Sequence, residues 1–358
     1  MHNKSISITK GIGISLMVIG HSPCPEYLTT WIYCFHMPLF FFISGYLFKD
    51  QSLKHPKTYI SKKIKSLYVP FVKWTIIFLI FHNVLAHFLI YKNVYTLSDF
   101  LDHTIRAFTL SSSEQLLGGY WFLIDLFIIS IIAYFIIYLM SKLTYSQKTT
   151  IREGGVKTIY LLLITIGFLL GAYLLNDNSL FIKIHDTTLL HTAYFFAGLT
   201  YCKLNRKPSF PISIISIVLT FVISLFFMPI TPKGLNLFIL FPFALICITT
   251  LMVISEKLST LRIANILDFI GTNTLIILTF HFICFKLASL IIIFRDDLPM
   301  SELSIFPAIG GQSNFDWLLY TFFGICLPLL GVILINLIPN KYLSLISIKQ
   351  KNKLLSSN

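Results

Sequence analysis

Charged residues are scarce in this chain: Asp, Glu, Lys and Arg make up 12% of its 358 residues, whereas hydrophobic residues make up 56%. A water-soluble domain cannot bury so much apolar surface, so the composition predicts an integral membrane protein. Acidic residues are especially rare, because 15 Asp and Glu stand against 28 Lys and Arg. A basic excess can serve nucleic-acid binding, but here the basic residues lie in short segments between apolar runs, which argues against that role.

The sequence also lacks the short motifs of several enzyme classes. It contains no HExxH, no GxSxG and no phosphate-binding P-loop. Its six cysteines show no CxxC or CxxH spacing, so we expect them to be apolar packing residues and expect neither disulfides nor a metal cofactor.

Long apolar runs are what the chain has instead, each about 17 to 25 residues long and so about long enough to cross a membrane as a helix. We count ten, near residues 6–22, 31–48, 69–90, 120–140, 158–175, 188–202, 211–228, 235–254, 268–293 and 316–338. The predicted fold is all-α, a polytopic integral membrane bundle of about ten transmembrane helices. It forms one domain, residues 1–340, followed by a basic cytoplasmic tail, residues 341–358, with no separate soluble domain.

The basic residues indicate how this bundle is oriented. Most of the 28 Lys and Arg residues fall on the side of the N-terminus, in segments that include residues 49–65, 141–157, 203–207 and the tail. By the positive-inside rule, both termini are predicted to be cytoplasmic.

The first two spans carry ionisable side chains, which are costly in hydrocarbon and usually face a cavity or a partner. Lys10 and His21 are eleven residues apart, which returns to nearly the same helix face about 16 Å further along the axis. His36 is expected at a depth similar to that of His21, and Gly45 permits a close helix approach. We predict that Lys10, His21 and His36 line one cavity, the alternative being that the histidines only pack.

The strongest basic cluster lies between the second and third spans, where Lys62, Lys63 and Lys65 share one turn. Such a cluster attracts anionic lipid headgroups and enforces topology. The alternative is a phosphate-binding patch, because lysines act as point charges on phosphate.

Residues 10–48, with KGI, GH and FHMPLFFFISGYLF, resemble the acyltransferase 3 family of membrane O-acyltransferases, especially its short, fucose 4-O-acetylase-like members. The resemblance continues more weakly through KKIKSLYVPF, YWFL and GTNTLIILTFH. It implies transfer of an acyl group, usually acetyl from acetyl-CoA, to a sugar hydroxyl of an envelope glycan at the bacterial cytoplasmic membrane. The implied partners are acyl-CoA, a glycan or lipid-linked sugar, and membrane lipid.

The resemblance also implies roles for single residues. Lys10 and His21 match the family's basic residue and histidine, and Lys62 and Lys65 match its basic pair, with Lys for the commoner Arg. We expect His21 to be the general base and His36 the second candidate, because a neutral imidazole suits that task. The remaining expectations are Asp125 as a group that orients a histidine, Lys10, Lys62, Lys63 and Lys65 as the acetyl-CoA site, and Ser44, Trp121 and His281 as substrate-cavity residues.

The competing interpretation is a multi-pass transporter or flippase for a sugar or lipid. Intramembrane charge and proline-containing spans fit that function as well. The family motifs and the lysine cluster favour the acyltransferase.

Overall fold

The computed structural model describes residues 3–111, 114–146, 157–175, 179–181, 184–226, 233–310 and 315–337. These are almost entirely helical, so the predicted helical class is confirmed. The α-helices are α1 (Lys4–His21), α2 (Glu26–Tyr46), α3 (Pro56–Lys63), α4 (Val69–His87), α5 (Leu97–Phe108), α6 (Trp121–Ser146), α7 (Thr158–Leu175), α8 (Asp186–Leu204), α9 (Phe210–Phe226), α10 (Leu237–Leu258), α11 (Ala264–Thr272), α12 (Thr274–Arg295) and α13 (Asp316–Leu337). One short antiparallel pair, β1 (Ser179–Phe181) and β2 (Ile184–His185), precedes α8 within the described residues. The predicted tail, residues 341–358, lies outside them.

Seven helical segments of the described chain are long and apolar enough to cross a membrane. They are Glu26–Tyr46, Pro56–His87, Gln115–Leu143, Thr158–Leu175, Gly234–Leu258, Thr274–Arg295 and Asp316–Leu337, and Phe210–Phe226 is a shorter apolar helix. Each of the ten predicted spans overlaps a helix, but α1, α8 and the shorter α9 are not among the seven. The count of ten and the cytoplasmic termini therefore stay predictions.

The helices α1 and α8 lie inside the bundle. Helix α1 packs against α2 and α10 to α13, and α8 packs against α2, α6 and α7. Both bury polar side chains, among them Thr9 on α1 and Thr192 on α8. A polar helix at membrane depth needs protein around it, and the more apolar helices provide that cover.

Two glycines bring α2 and α8 into backbone contact. A Cβ atom on Gly45 would lie 1.8 Å from the carbonyl oxygen of Phe195, and one on Gly198 would lie 2.0 Å from that of Phe42. The predicted close approach at Gly45 is therefore present. It holds the two helices side by side, with Phe41 next to His191. We call the end of the bundle with the C-terminus of α1 the His21 end and the opposite end the Lys4 end.

The predicted span at residues 268–293 is two helices. Helix α11 ends at Thr272 and α12 begins at Thr274, with Asn273 at φ −108° between them. The Asn273 side-chain amide donates a hydrogen bond to the carbonyl of Phe269 at 2.8 Å. Such a local bond offers the backbone an alternative to a continuous helix, which accounts for the break.

The basic segment before α4 contains a π-helical turn, Ile64–Tyr68, that joins α3 to α4. Pro70 follows it in the first turn of α4. Proline has no N–H to donate to the preceding turn, so the ordinary helical ladder is interrupted there. Turns of this kind change which side chains face the protein and are frequent at functional sites.

Candidate active site

Two cavities adjoin inside the bundle. The larger, about 660 Å³, lies at the His21 end, and we call it the His21 chamber. The smaller, about 260 Å³, lies toward the Lys4 end, and we call it the Lys10 chamber. The walls of both include Met17, Met37 and Leu278, so the cavities meet at these apolar side chains, and we call this junction the constriction.

The structure distributes the predicted site residues between these chambers. His21, His36 and Trp121 line the His21 chamber. Lys10 and Ser44 line the Lys10 chamber. The shared helix face of Lys10 and His21 thus faces two adjoining cavities.

His21 ends α1 on one wall of the His21 chamber. Its ring centroid lies 5.6 Å from that of His281 and 5.0 Å from that of Phe282, both on α12. Among the described residues, no group forms a hydrogen bond with the imidazole ring of His21. Its ring nitrogens are therefore available to a molecule in the chamber.

His281 does not line either chamber, contrary to its expected place in the substrate cavity. It is fully buried behind His21. Its Nδ1 lies 3.1 Å from the carbonyl oxygen of Ile277 and 3.0 Å from that of Leu278, so Nδ1 carries the hydrogen. Its Nε2 is buried and has no partner among the described residues. His281 lies in the second turn of α12, which begins at Thr274 directly after the break at Asn273.

His36 is almost fully buried on α2 but still contributes to the chamber wall. Its Nδ1 donates to the carbonyl of Ile32 at 2.9 Å, which leaves Nε2 as the unprotonated nitrogen of the neutral ring. Tyr33, whose ring centroid lies 5.1 Å away, donates its hydroxyl to the carbonyl of Gly20 at 2.8 Å and so links α2 to α1.

Asp125 does orient a histidine, but that histidine is His191. Nδ1 of His191 donates a short hydrogen bond to Oδ2 of Asp125, and His191 lines the His21 chamber. Its ring stacks on Phe41, with centroids 4.2 Å apart, and lies 5.8 Å from the ring of Trp121. Sequence reasoning did not identify His191 as a site residue. The partners are 66 positions apart in the sequence, so no local motif reveals the pair. The polar composition of α8 was the available signal.

The lysines of the basic cluster have different surroundings. Lys63 is partly buried, its Nζ donates to Oγ of Ser44 at 3.4 Å, and it stands 5.6 Å above the ring of Tyr59. Lys62 and Lys65 are exposed. Among the described residues, none of the three forms an ion pair with an acidic side chain. Lys63 therefore reaches the wall of the Lys10 chamber, while the other two leave positive charge on the surface beside it.

In the described part of the chain, no group of three or more His, Cys, Asp or Glu side chains is placed so that it could bind a metal ion.

A helical bundle with apolar, membrane-length segments around an internal cavity defines a multi-pass membrane protein. The family model for the acyltransferase 3 domain matches residues 3–337, so the chain belongs to the acyltransferase 3 family. No curated protein and no solved structure matches the chain.

Proposed function

We propose that this protein is a membrane O-acetyltransferase that moves acetyl from acetyl-CoA to a sugar hydroxyl of an envelope glycan, in the bacterial cytoplasmic membrane. Membership of the acyltransferase 3 family gives the reaction class. The observation that carries the rest is the pair of adjoining chambers, with Lys10 in one and His21 in the other. Such a passage suits a donor that enters from one side and an acceptor that enters from the other.

We assign the donor to the Lys4 end. Coenzyme A carries phosphates, and the positive charges of Lys62, Lys63 and Lys65, none of which forms an ion pair with a described acidic side chain, favour a polyanion there. The thin pantetheine arm then occupies the Lys10 chamber, beside Lys10 and Ser44. The thioester reaches His21 by passing the constriction at Met17 and Met37.

The chemical step takes place in the His21 chamber. As the sugar oxygen attacks the thioester carbonyl carbon, His21 accepts the hydroxyl proton. The carbon–sulfur bond breaks, the thiolate of coenzyme A leaves with the electron pair, and it takes up the proton. His36, whose Nε2 carries a lone pair in the neutral ring, is the alternative base.

The acceptor is assigned to the same chamber on grounds of size and composition. A volume of about 660 Å³ falls within the range of small-molecule sites and is far more than an acetyl group requires. Trp121 lines it and is 46% exposed, which leaves an aromatic surface for a sugar ring.

Membranes that contain the protein, incubated with acetyl-labelled acetyl-CoA and candidate glycans, test this function. We expect label on the glycan, and none with membranes that lack the protein. A transporter or flippase would move the sugar and leave it unlabelled, which would contradict the proposal.

A further inference from the structure

The proposed function leaves open which groups hold the acceptor sugar while its hydroxyl reacts. We propose that His191, oriented by Asp125, binds a hydroxyl group of a sugar that lies against Trp121, so that these residues form the acceptor subsite of the His21 chamber. This inference rests on the proposed function and assigns His191 a positioning role beside His21.

The hydrogen bond between His191 and Asp125 determines what the imidazole offers. Because Nδ1 donates to the carboxylate, Nε2 of the neutral ring carries a lone pair and accepts hydrogen bonds. No described residue forms a hydrogen bond with Nε2. The side chain of His191 is 11% exposed and lines the chamber, so a hydroxyl group in the chamber is a suitable donor.

The imidazole is also held in one orientation. Its plane lies 10° from that of Phe41 and 23° from that of Trp121. Rotation of the ring would break both the stacking on Phe41 and the bond to Asp125. A fixed acceptor atom imposes a fixed geometry on the bound hydroxyl, as positioning requires.

The surroundings fit a sugar better than an apolar alcohol. An exposed tryptophan face packs on the C–H face of a pyranose, while neighbouring polar groups bind its hydroxyls. Thr187 lies one helical turn before His191 and lines the same chamber, so it adds a second hydroxyl-binding group. The chamber thus combines an aromatic surface with polar atoms on one wall.

This wall is distinct from the one that carries the proposed base. Asp125 and Trp121 belong to α6 and His191 to α8, whereas His21 belongs to α1. Both walls face the same chamber. A sugar held between them therefore contacts the subsite with one hydroxyl and presents another to His21.

The test uses purified protein in lipid nanodiscs, acetyl-CoA, and a panel of methyl hexopyranosides with their monodeoxy analogues. His191→Phe keeps an aromatic ring for stacking and removes the hydrogen-bond acceptor. We expect it to raise the KM for the glycoside about tenfold, as loss of one ordinary hydrogen bond does. The KM for acetyl-CoA should not change, because the donor occupies the other chamber. His191→Gln, which restores a polar atom, should recover part of the loss.

The control is His87→Phe, which replaces an exposed imidazole outside the chamber and should match the wild type. Equal membrane abundance and thermal unfolding of the variants exclude a folding defect as the cause. His191→Phe should also lose discrimination against one monodeoxy analogue, the one that lacks the hydroxyl bound by His191. That loss would not follow from a purely structural role.

Three results would overturn the subsite: unchanged KM for every glycoside, an equal rise in the KM for acetyl-CoA, or loss of kcat with unchanged KM, which would make His191 a base. Glycoside binding followed by tryptophan fluorescence, in the wild type and Trp121→Phe, separates this inference from the proposed function. Trp121-dependent binding without acetyl transfer would support the subsite and contradict the transferase. Absence of both would reject the subsite as well.

Discussion

The surroundings of the three clustered lysines predict that they contribute unequally to donor binding. Lys63 is partly buried at the wall of the Lys10 chamber, where a charge-assisted hydrogen bond to a phosphate has its full strength. Its loss in Lys63→Ala should raise the KM for acetyl-CoA about tenfold to a hundredfold. Lys62 and Lys65 are exposed, so each alanine substitution should raise that KM only about twofold to fivefold.

The assay is the initial rate of acetyl transfer against acetyl-CoA concentration, at low and at high salt. The effects of Lys62→Ala and Lys65→Ala should shrink as salt rises, because exposed charges are screened, whereas the effect of Lys63→Ala should persist. Lys207→Ala is the matched control, since Lys207 is on the same side of the bundle but is already paired with Glu256 at 2.7 Å. If none of the three substitutions changes the KM at constant protein level, the cluster serves membrane topology alone. A larger effect at Lys62 or Lys65 than at Lys63 would refute the role of burial.

Three further outcomes are expected. Lys10→Ala should raise the KM for acetyl-CoA with little change in kcat, and Lys10→Arg should keep activity. Initial rates over a range of acetyl-CoA concentrations check this prediction, and an effect on kcat alone would contradict it. Met37→Trp should fill the constriction and stop acetyl transfer while binding of desulfo-coenzyme A is kept, whereas Met37→Ala should remain active. Gly198→Ala should lower the free energy of unfolding by about 1–3 kcal/mol or more, because the new Cβ would lie 2.0 Å from the carbonyl oxygen of Phe42. Gly167→Ala is the control and should not lower it, because nothing lies within 4 Å of its Cβ. Equal melting temperatures of the two variants would argue against the close packing of α2 on α8.

Helical geometry predicted the shared face of Lys10 and His21, but it did not predict that this face meets two chambers instead of one cavity. Lys10 and His21 lie on one helix, so the residue spacing alone predicted a shared face, and both line adjoining chambers. The same reasoning needs a continuous regular helix. In the basic segment α3 ends at Lys63 and the π-helical turn Ile64–Tyr68 follows, so the spacing of the lysines did not indicate which of them contacts Ser44. That lysine is Lys63.

Contacts between distant helices were beyond sequence reasoning. The polarity of Asp125 indicated that it needed a partner, but only the packing of α6 against α8 identifies His191 as that partner. His281 shows the opposite limit. Its position in a late span suggested the cavity, yet it is buried behind His21, a depth that follows from helix packing and not from the local sequence.

Acetylation of the envelope glycan in cells is the most direct test of His21 as the general base. Cells that carry the wild type, His21→Gln or His21→Ala at equal membrane abundance should be compared by mass spectrometry of the glycan. We expect acetylated glycan with the wild type and none with either variant, and we expect both variants to bind acetyl-CoA. Glutamine keeps hydrogen bonding but lacks the basicity that the step requires. Substantial acetylation by His21→Gln would contradict the account and transfer the role of the base to His36.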